Sequence, residues 1–145
     1  MAQNRRICIV DDEELVRRAL ERELRFWVRD KGMDISSYAT PTAALDSIRA
    51  SPESVLVVLS DQRMPYFEGL DMIDLIRQVD PDIPSILISG HFDASQLVDG
   101  RVPGLFAVLS KPWSHEDLVR SVSSAVASRL EQARQIRFAP VAGNG

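Results

Sequence analysis

Four short apolar runs in this chain each end on a side chain that can do chemistry. Ile7-Cys8-Ile9-Val10 runs into Asp11-Asp12-Glu13, and Val55 to Ser60 runs into Asp61. Ile83 to Ile88 ends at Ser89, and Leu105 to Leu109 is followed by Ser110-Lys111-Pro112. If these ends converge, Asp11, Asp12, Asp61, a hydroxyl and an ammonium share one crevice. The three aspartates would repel one another when ionised. A hard divalent cation relieves that repulsion, and a few carboxylates plus water suit Mg²⁺. Such a metal keeps coordination positions open for a phosphate oxygen. Phosphoryl transfer requires positioning and neutralisation of the equatorial oxygens, which the metal, Lys111 and the Ser89 hydroxyl would supply. The remaining requirement is a nucleophile, and a carboxylate can become an aspartyl phosphate.

For these groups to meet, the intervening elements must bring the run ends to one edge. Residues 13–29 carry Val16, Leu20, Leu24 and Trp27 at spacings of three or four, one face of a helix. Asp34 to Ala39 is a weaker strand, and Thr40-Pro41 reads as the cap and first residue of a helix with Ala44, Leu45 and Ile48 inside. Val55 to Ser60 is apolar without alternation, as in a strand buried on both faces of a parallel sheet. Leu70 to Gln78 is helical, with Met72, Ile73 and Ile76 on one side, and Asp80-Pro81-Asp82 is a turn. The next strand enters the sheet only after Pro84. Residues 93–99 predict a short helix before Gly100. Ser114 and Asp117 open a last helix, with Leu118, Val122, Val126 and Leu130 on one stripe.

The pattern is (βα)₅. It predicts a doubly wound, flavodoxin-like α/β domain with a five-stranded parallel sheet and helices on both faces. The expected strand order is 2-1-3-4-5, with ligands beyond the carboxyl ends of the strands. In that order the first, third, fourth and fifth strands are neighbours, so the four chemical ends do converge.

Composition bounds the reading. The chain has 145 residues, 17 Lys+Arg against 21 Asp+Glu, 45% hydrophobic and 26% charged residues, which suits one soluble globular domain. No apolar run approaches the roughly 20 residues of a membrane span, and the first residues do not read as a signal peptide. A single cysteine, Cys8, excludes an internal disulfide and a multi-cysteine zinc site. The mild acidity argues against a nucleic-acid surface, and no helix-turn-helix follows residue 130, so direct DNA binding is not expected. These features suggest a reduced, cytoplasmic protein.

The four fragments, with Leu59-Ser60-Asp61-Gln62-Arg63-Met64-Pro65 and Gly69 among them, resemble the CheY-like receiver domain of bacterial two-component response regulators. The resemblance covers about residues 5–130, leaving 131–145 as a helical extension and a flexible tail. It implies that Asp61 is the phosphoacceptor, and that Asp11, Asp12, Asp61 and the backbone carbonyl of Arg63 hold Mg²⁺. It implies that Ser89 and Lys111 bind the phosphoryl group and that Lys111-Pro112 is a cis peptide. The donor would be a histidine kinase or a histidine phosphotransfer protein. An output protein would read the face of the fourth helix, fifth strand and fifth helix. The domain would act only on itself, through acceptance and autodephosphorylation. One departure stands out: where the family often has an aromatic switch residue, this chain has Val108. A β-branched side chain cannot swing as a ring does. Phe106, two residues earlier, is a substitute on the same strand face. By the same resemblance, His91 and Arg63 tune phosphoryl lifetime. The Ser89-Gly90-His91 and Lys111-Pro112-Trp113 wording looks most like receivers attached to outputs such as HD-GYP phosphodiesterases.

Other readings stand beside these. Asp12 could be the N-cap of the first helix, Gly69 relief for a turn, His91 a solvated loop residue and Lys111 a solvated lysine. Tyr66 and Phe67 either cover the phosphate or pack against the third helix. Arg129, Arg134 and Arg137 look like a solvated face. The long last helix suits a domain helix, a homodimer seam or a connector. Two other functions compete: a phosphorylation-independent interaction module, which Val108 favours, and an Asp-nucleophile phosphatase, which the Asp-Asp-Glu-Glu run and the lack of a cap domain disfavour.

Overall fold

The computed structural model describes residues 4–90 and 102–138, with side chains to residue 135. The elements run β1 (Arg6–Val10), α1 (Glu14–Asp30), β2 (Asp34–Tyr38), α2 (Pro41–Ala50), a 3₁₀ turn (Pro52–Ser54), β3 (Val55–Asp61), a hairpin of β4 (Arg63–Met64) and β5 (Phe67–Glu68), α3 (Gly69–Val79), β6 (Ser85–Ser89), β7 (Leu105–Ser110) and α4 (His115–Phe138). Five strands form one parallel sheet in the order β2-β1-β3-β6-β7. Counting only the strands of this sheet, that is the expected 2-1-3-4-5. The helix expected over 93–99 lies outside the described residues.

The apolar pattern explains the layering. All seven residues of β3 are buried, as its lack of alternation requires for the central strand of a two-sided sheet. Ile7, Ile9, Leu56 and Leu59 join Leu20 and Leu24 of α1 and Leu118, Val122 and Val126 of α4 in one core. Cys8, Val10, Val55 and Val58 join Ala44, Leu45 and Ile48 of α2 and Met72 and Ile76 of α3 in a second core across the sheet. Cys8 is a buried strand residue, and burial pushes its thiol pKa up, so it packs as a small hydrophobe.

Local caps set the boundaries. Thr40 Oγ1 accepts the Ala43 N–H at 3.2 Å, with Pro41 in the first helical turn. Ser114 Oγ accepts the Asp117 N–H at 3.0 Å. Asp80 Oδ1 accepts the Asp82 N–H at 2.9 Å and closes the turn before β6. β6 begins after Pro84, whose carbonyl oxygen still accepts the Val58 N–H at 3.0 Å.

Two arginines depart from a surface role. Arg129 is not part of a solvated face: its side chain is 11% exposed. It donates to the carbonyl oxygens of Val55 and Pro52, each at 3.1 Å, and to Asp80 Oδ2 at 2.9 Å. It fastens α4 to the entry of β3 and the end of α3. Arg134 is exposed, as expected. Arg6 donates to the hydroxyls of Ser36, Tyr38, Ser47 and Ser54 at 2.8–3.0 Å and so ties β1 to β2, α2 and the 3₁₀ turn. Periodicity does not reveal such partners, because they are far apart in sequence. The last helix runs unbroken from His115 to Phe138, through residue 130.

Candidate functional site

β1, β3, β6 and β7 end side by side at one edge of the sheet. Asp11 follows β1, and its N–H donates to the Tyr38 carbonyl oxygen at 3.1 Å. Asp61 ends β3. In register, Asp61 faces Ile88 and Ser89 faces Ser110, so the buried Ser89 stands one residue from Lys111 across the ladder. The Lys111 N–H donates to the Ser89 carbonyl oxygen at 2.8 Å, and the Lys111-Pro112 peptide is cis.

Carboxylate oxygens of Asp11, Asp12 and Asp61, one from each residue, lie within 4.8 Å of one another. Asp11 and Asp61 are buried and Asp12 is exposed, so the cluster opens to solvent on one side. Lys111 Nζ donates to Asp61 Oδ1 at 3.0 Å and lies 4.0 Å from Asp11 Oδ2. Asp11 Oδ1 accepts the Glu13 N–H at 2.8 Å, but Oδ2 is buried without a hydrogen bond.

Burial pushes the Asp11 carboxyl up to about 6. The charges of Asp61 and Asp12 push the same way, against the Glu13 N–H and Lys111. For Lys111, burial works to lower the pKa, but the hydrogen bond and charge of Asp61, with Asp11 and Glu13, outweigh it and hold it above its ordinary value. Lys111 is therefore an ammonium. A divalent cation fits this donor set: clustered carboxylate oxygens of three aspartates, with the buried Asp11 Oδ2 lacking a hydrogen bond, beside the Lys111 ammonium.

Some alternatives are settled by contacts. Asp12 does not cap α1. The N-cap residue is Glu13, which makes no side-chain cap bond, and it is Asp11 that accepts the N–H there. Arg17 reinforces this loop, donating to the Asp11 carbonyl oxygen at 2.8 Å. Lys111 is not a solvated lysine, because it is paired with Asp61. Tyr66 is fully exposed with φ 61°, whereas Phe67 packs against the second core, so the two adjacent aromatics part ways. Arg63 is exposed in β4. Val108 is half-buried beside Leu87. Phe106 is 41% exposed and falls at a shift in the β6–β7 register, the ladder passing from Ser85–Leu105 to Ile86–Ala107. His91 lies outside the described residues.

Gly69 and Gln62 hold α3 against the site. Gly69 opens α3, and its need for glycine comes from crowding rather than from a turn. A Cβ there would sit 2.6 Å from Leu87 Cδ2 and 2.7 Å from the Asp61 carbonyl oxygen. The buried Gln62 accepts the Leu70 N–H on Oε1 at 3.2 Å and the Gly69 N–H on its carbonyl oxygen at 2.9 Å. The only signal for Gln62 in the sequence is a polar residue just after the strand and before the helix. Gly69→Ala is expected to destabilise the fold by about 1–3 kcal/mol, as overpacking does. It should also displace Asp61. Urea unfolding measures the first effect, and loss of the Mg²⁺-induced shift in unfolding midpoint measures the second.

A five-stranded parallel sheet carrying an aspartate cluster and a lysine at its carboxyl edge defines a class of α/β domain, and comparison with known proteins identifies the family. Residues 7–123 match the model of the response regulator receiver domain. The chain belongs to that family. It is 32% identical over 130 residues to the C4-dicarboxylate transport transcriptional regulatory protein DctD of Rhizobium meliloti (strain 1021), covering 90% of this chain and 26% of DctD. It is 33% identical over 133 residues to the DNA-binding transcriptional regulator NtrC of Klebsiella pneumoniae, covering 92% of this chain and 27% of NtrC. The chain thus spans about a quarter of the length of these curated relatives. The signal receiver domain of an HD domain-containing protein from Pseudomonas fluorescens Pf-5 superposes with a TM-score of 0.78 at 21% identity, over 93% of this chain and 96% of that one. At that identity the likeness shows the fold alone. Among the described residues no helix is long and apolar enough to cross a membrane.

Proposed function

We propose that this receiver domain accepts a phosphoryl group on Asp61 from a phosphohistidine of a histidine kinase or histidine phosphotransfer protein. A carboxylate oxygen of Asp61 attacks phosphorus and forms the P–O bond. The donor's P–N bond breaks, and the imidazole leaves with the electron pair. Lys111, already beside Asp61, exchanges its carboxylate contact for the phosphoryl oxygens, and the Ser89 hydroxyl donates to another of them. Asp11, Asp12, Asp61 and the Arg63 backbone carbonyl would hold Mg²⁺, which when bound neutralises charge on the phosphoryl oxygens. Water later hydrolyses the acyl phosphate, with His91 and the Arg63 side chain tuning the lifetime. The domain acts on itself and is not a turnover enzyme.

Phosphorylation would bias a pre-existing equilibrium of the face that includes β7 and α4, read by a downstream protein or a second copy in a cytoplasmic setting. Ser89 carries the hydroxyl half of that switch, and Val108 or Phe106 stands in for the aromatic half. Residues 5–130 form the receiver, with 131–145 as an extension.

The observation that carries this reading is the cluster itself: three carboxylate oxygens within 4.8 Å, one of them Asp11, beside Lys111 at 3.0 Å from Asp61. Intact-mass spectrometry after incubation with acetyl phosphate tests it. One phosphoryl adduct is expected with Mg²⁺ and none with EDTA. An adduct that is indifferent to EDTA would overturn the metal assignment. Neither an adduct nor binding of the phosphoryl mimic beryllofluoride would overturn the function and leave an interaction module.

A further inference from the structure

Glu23 stands midway along α1 and reaches the loop that joins β7 to α4. Its Oε2 accepts the Trp113 indole N–H at 2.9 Å, and its Oε1 lies 3.3 Å from His115 Nδ1. The Glu23 side chain is only 22% exposed. The Trp113 ring packs, partly buried, against the core shared by α1, the sheet and α4. An indole held by packing on its body and by a charged acceptor on its N–H has little freedom to reorient.

The loop is short and is fastened at both ends and at Trp113. At its start, the Lys111 N–H is bonded to the Ser89 carbonyl oxygen at 2.8 Å. At its end, Ser114 caps α4 through the Asp117 N–H at 3.0 Å. Between them, the Trp113 indole N–H is bonded to Glu23 Oε2 at 2.9 Å. The long lysine side chain has many rotamers, so its reach to Asp61 depends on how firmly its backbone is placed. The outer-shell partners that orient a site's contact groups serve the same purpose elsewhere.

We propose that Glu23 is a positioning residue: by holding the Trp113 indole it fixes the backbone from which Lys111 reaches Asp61. The inference rests on the phosphoacceptor reading, and it gives α1 a part in the site beyond the loop that carries Asp11 and Asp12.

The test compares wild type, Glu23→Ala, Glu23→Gln, Lys111→Ala and the double variant Glu23→Ala/Lys111→Ala, with Mg²⁺. The measurements are the rate of adduct formation from acetyl phosphate, beryllofluoride affinity and the unfolding midpoint. Glu23→Ala is expected to slow adduct formation on the order of tenfold. Glu23→Gln should restore most of the rate, because its amide oxygen still accepts the indole N–H. In the Lys111→Ala background, Glu23→Ala should have no further effect, since the group it positions is gone. A Glu23→Ala rate equal to wild type would overturn the inference. So would the same fold-loss with and without Lys111, which marks a general structural role. If wild type takes neither the phosphoryl group nor beryllofluoride, the phosphoacceptor reading falls. The positioning is then read from the Lys111 backbone amide in a ¹H–¹⁵N spectrum. It must shift in Glu23→Ala and return in Glu23→Gln, and an unmoved amide sinks the proposal.

Discussion

Asp61→Asn is expected to reduce the phosphoryl adduct from acetyl phosphate to below detection while leaving the fold intact. The loss is chemical. An amide oxygen is neutral and a poor nucleophile, and no acyl phosphate can form on it. The fold survives because asparagine has nearly the same shape and keeps an oxygen for Lys111, which now donates to Asp61 Oδ1 at 3.0 Å. The substitution also removes one charge from a group of aspartates whose oxygens crowd within 4.8 Å. The unfolding midpoint in EDTA should therefore not fall. Intact mass and thermal unfolding on the same samples check both halves. An adduct that persists in a folded variant would mean that another side chain is the acceptor, and peptide mapping would find it.

Asp11→Asn should stabilise the metal-free protein at pH 7 and at the same time abolish its response to Mg²⁺. Asp11 is buried, and its carboxyl is pushed up to about 6 from 3.8. A carboxyl raised on folding adds stability that is fully present below its unfolded pKa and lost as pH rises through its folded one. At pH 7 that stability is gone, a difference on the order of 3 kcal/mol for about two pH units. Asparagine never ionises. It does bury an amide N–H₂ where Oδ2 has no hydrogen bond, which costs about 1–2 kcal/mol. The net gain expected in EDTA is about 1–2 kcal/mol at pH 7. It should shrink as pH falls from 7 through 6 toward 4, because the wild-type carboxyl then protonates. With Mg²⁺ added, wild type should gain stability through binding to the native state, and the variant should not. Urea unfolding across this pH range, with EDTA and with Mg²⁺, reads all three effects. A variant less stable than wild type at pH 7 in EDTA would show that the ionised Asp11 is not a burden on the metal-free fold.

These two results would place a conflict between stability and function at one residue. The metal-free fold carries a buried carboxylate oxygen with no hydrogen bond, which natural interiors seldom tolerate. Lys111 relieves the strain only in part, because it lies 4.0 Å from that oxygen and bonds to Asp61 instead. A bound cation would satisfy the oxygen and offset the crowding together.

The layers and the edge at which the chemistry gathers were written into the apolar pattern of the chain. Val55 to Ser60 has no polar alternation, so it had to lie between two helical layers, and the stripes of Leu20/Leu24 and Leu118/Val122/Val126 were legible as buried helix faces, although that both cover the same face of the sheet came from the structure. Strand ends at Asp11, Asp61, Ser89 and Lys111 then met because neighbouring parallel strands end at a common edge. Local chemistry such as the Thr40 and Ser114 caps was equally legible, since cap and partner lie three residues apart. The partners of individual side chains emerged from the folded arrangement alone. It made Glu13 rather than Asp12 the N-cap residue of α1, with Asp11 accepting the Glu13 N–H, sent Arg129 into the interior to Asp80, and separated Tyr66 from Phe67. It made Gly69 a matter of contact with Leu87 and Asp61, and it brought Glu23 to Trp113. Each of these depends on distances across elements far apart in the chain. Periodicity says which face of a helix is buried, but not which charged side chain on its border will find an acceptor on the next element.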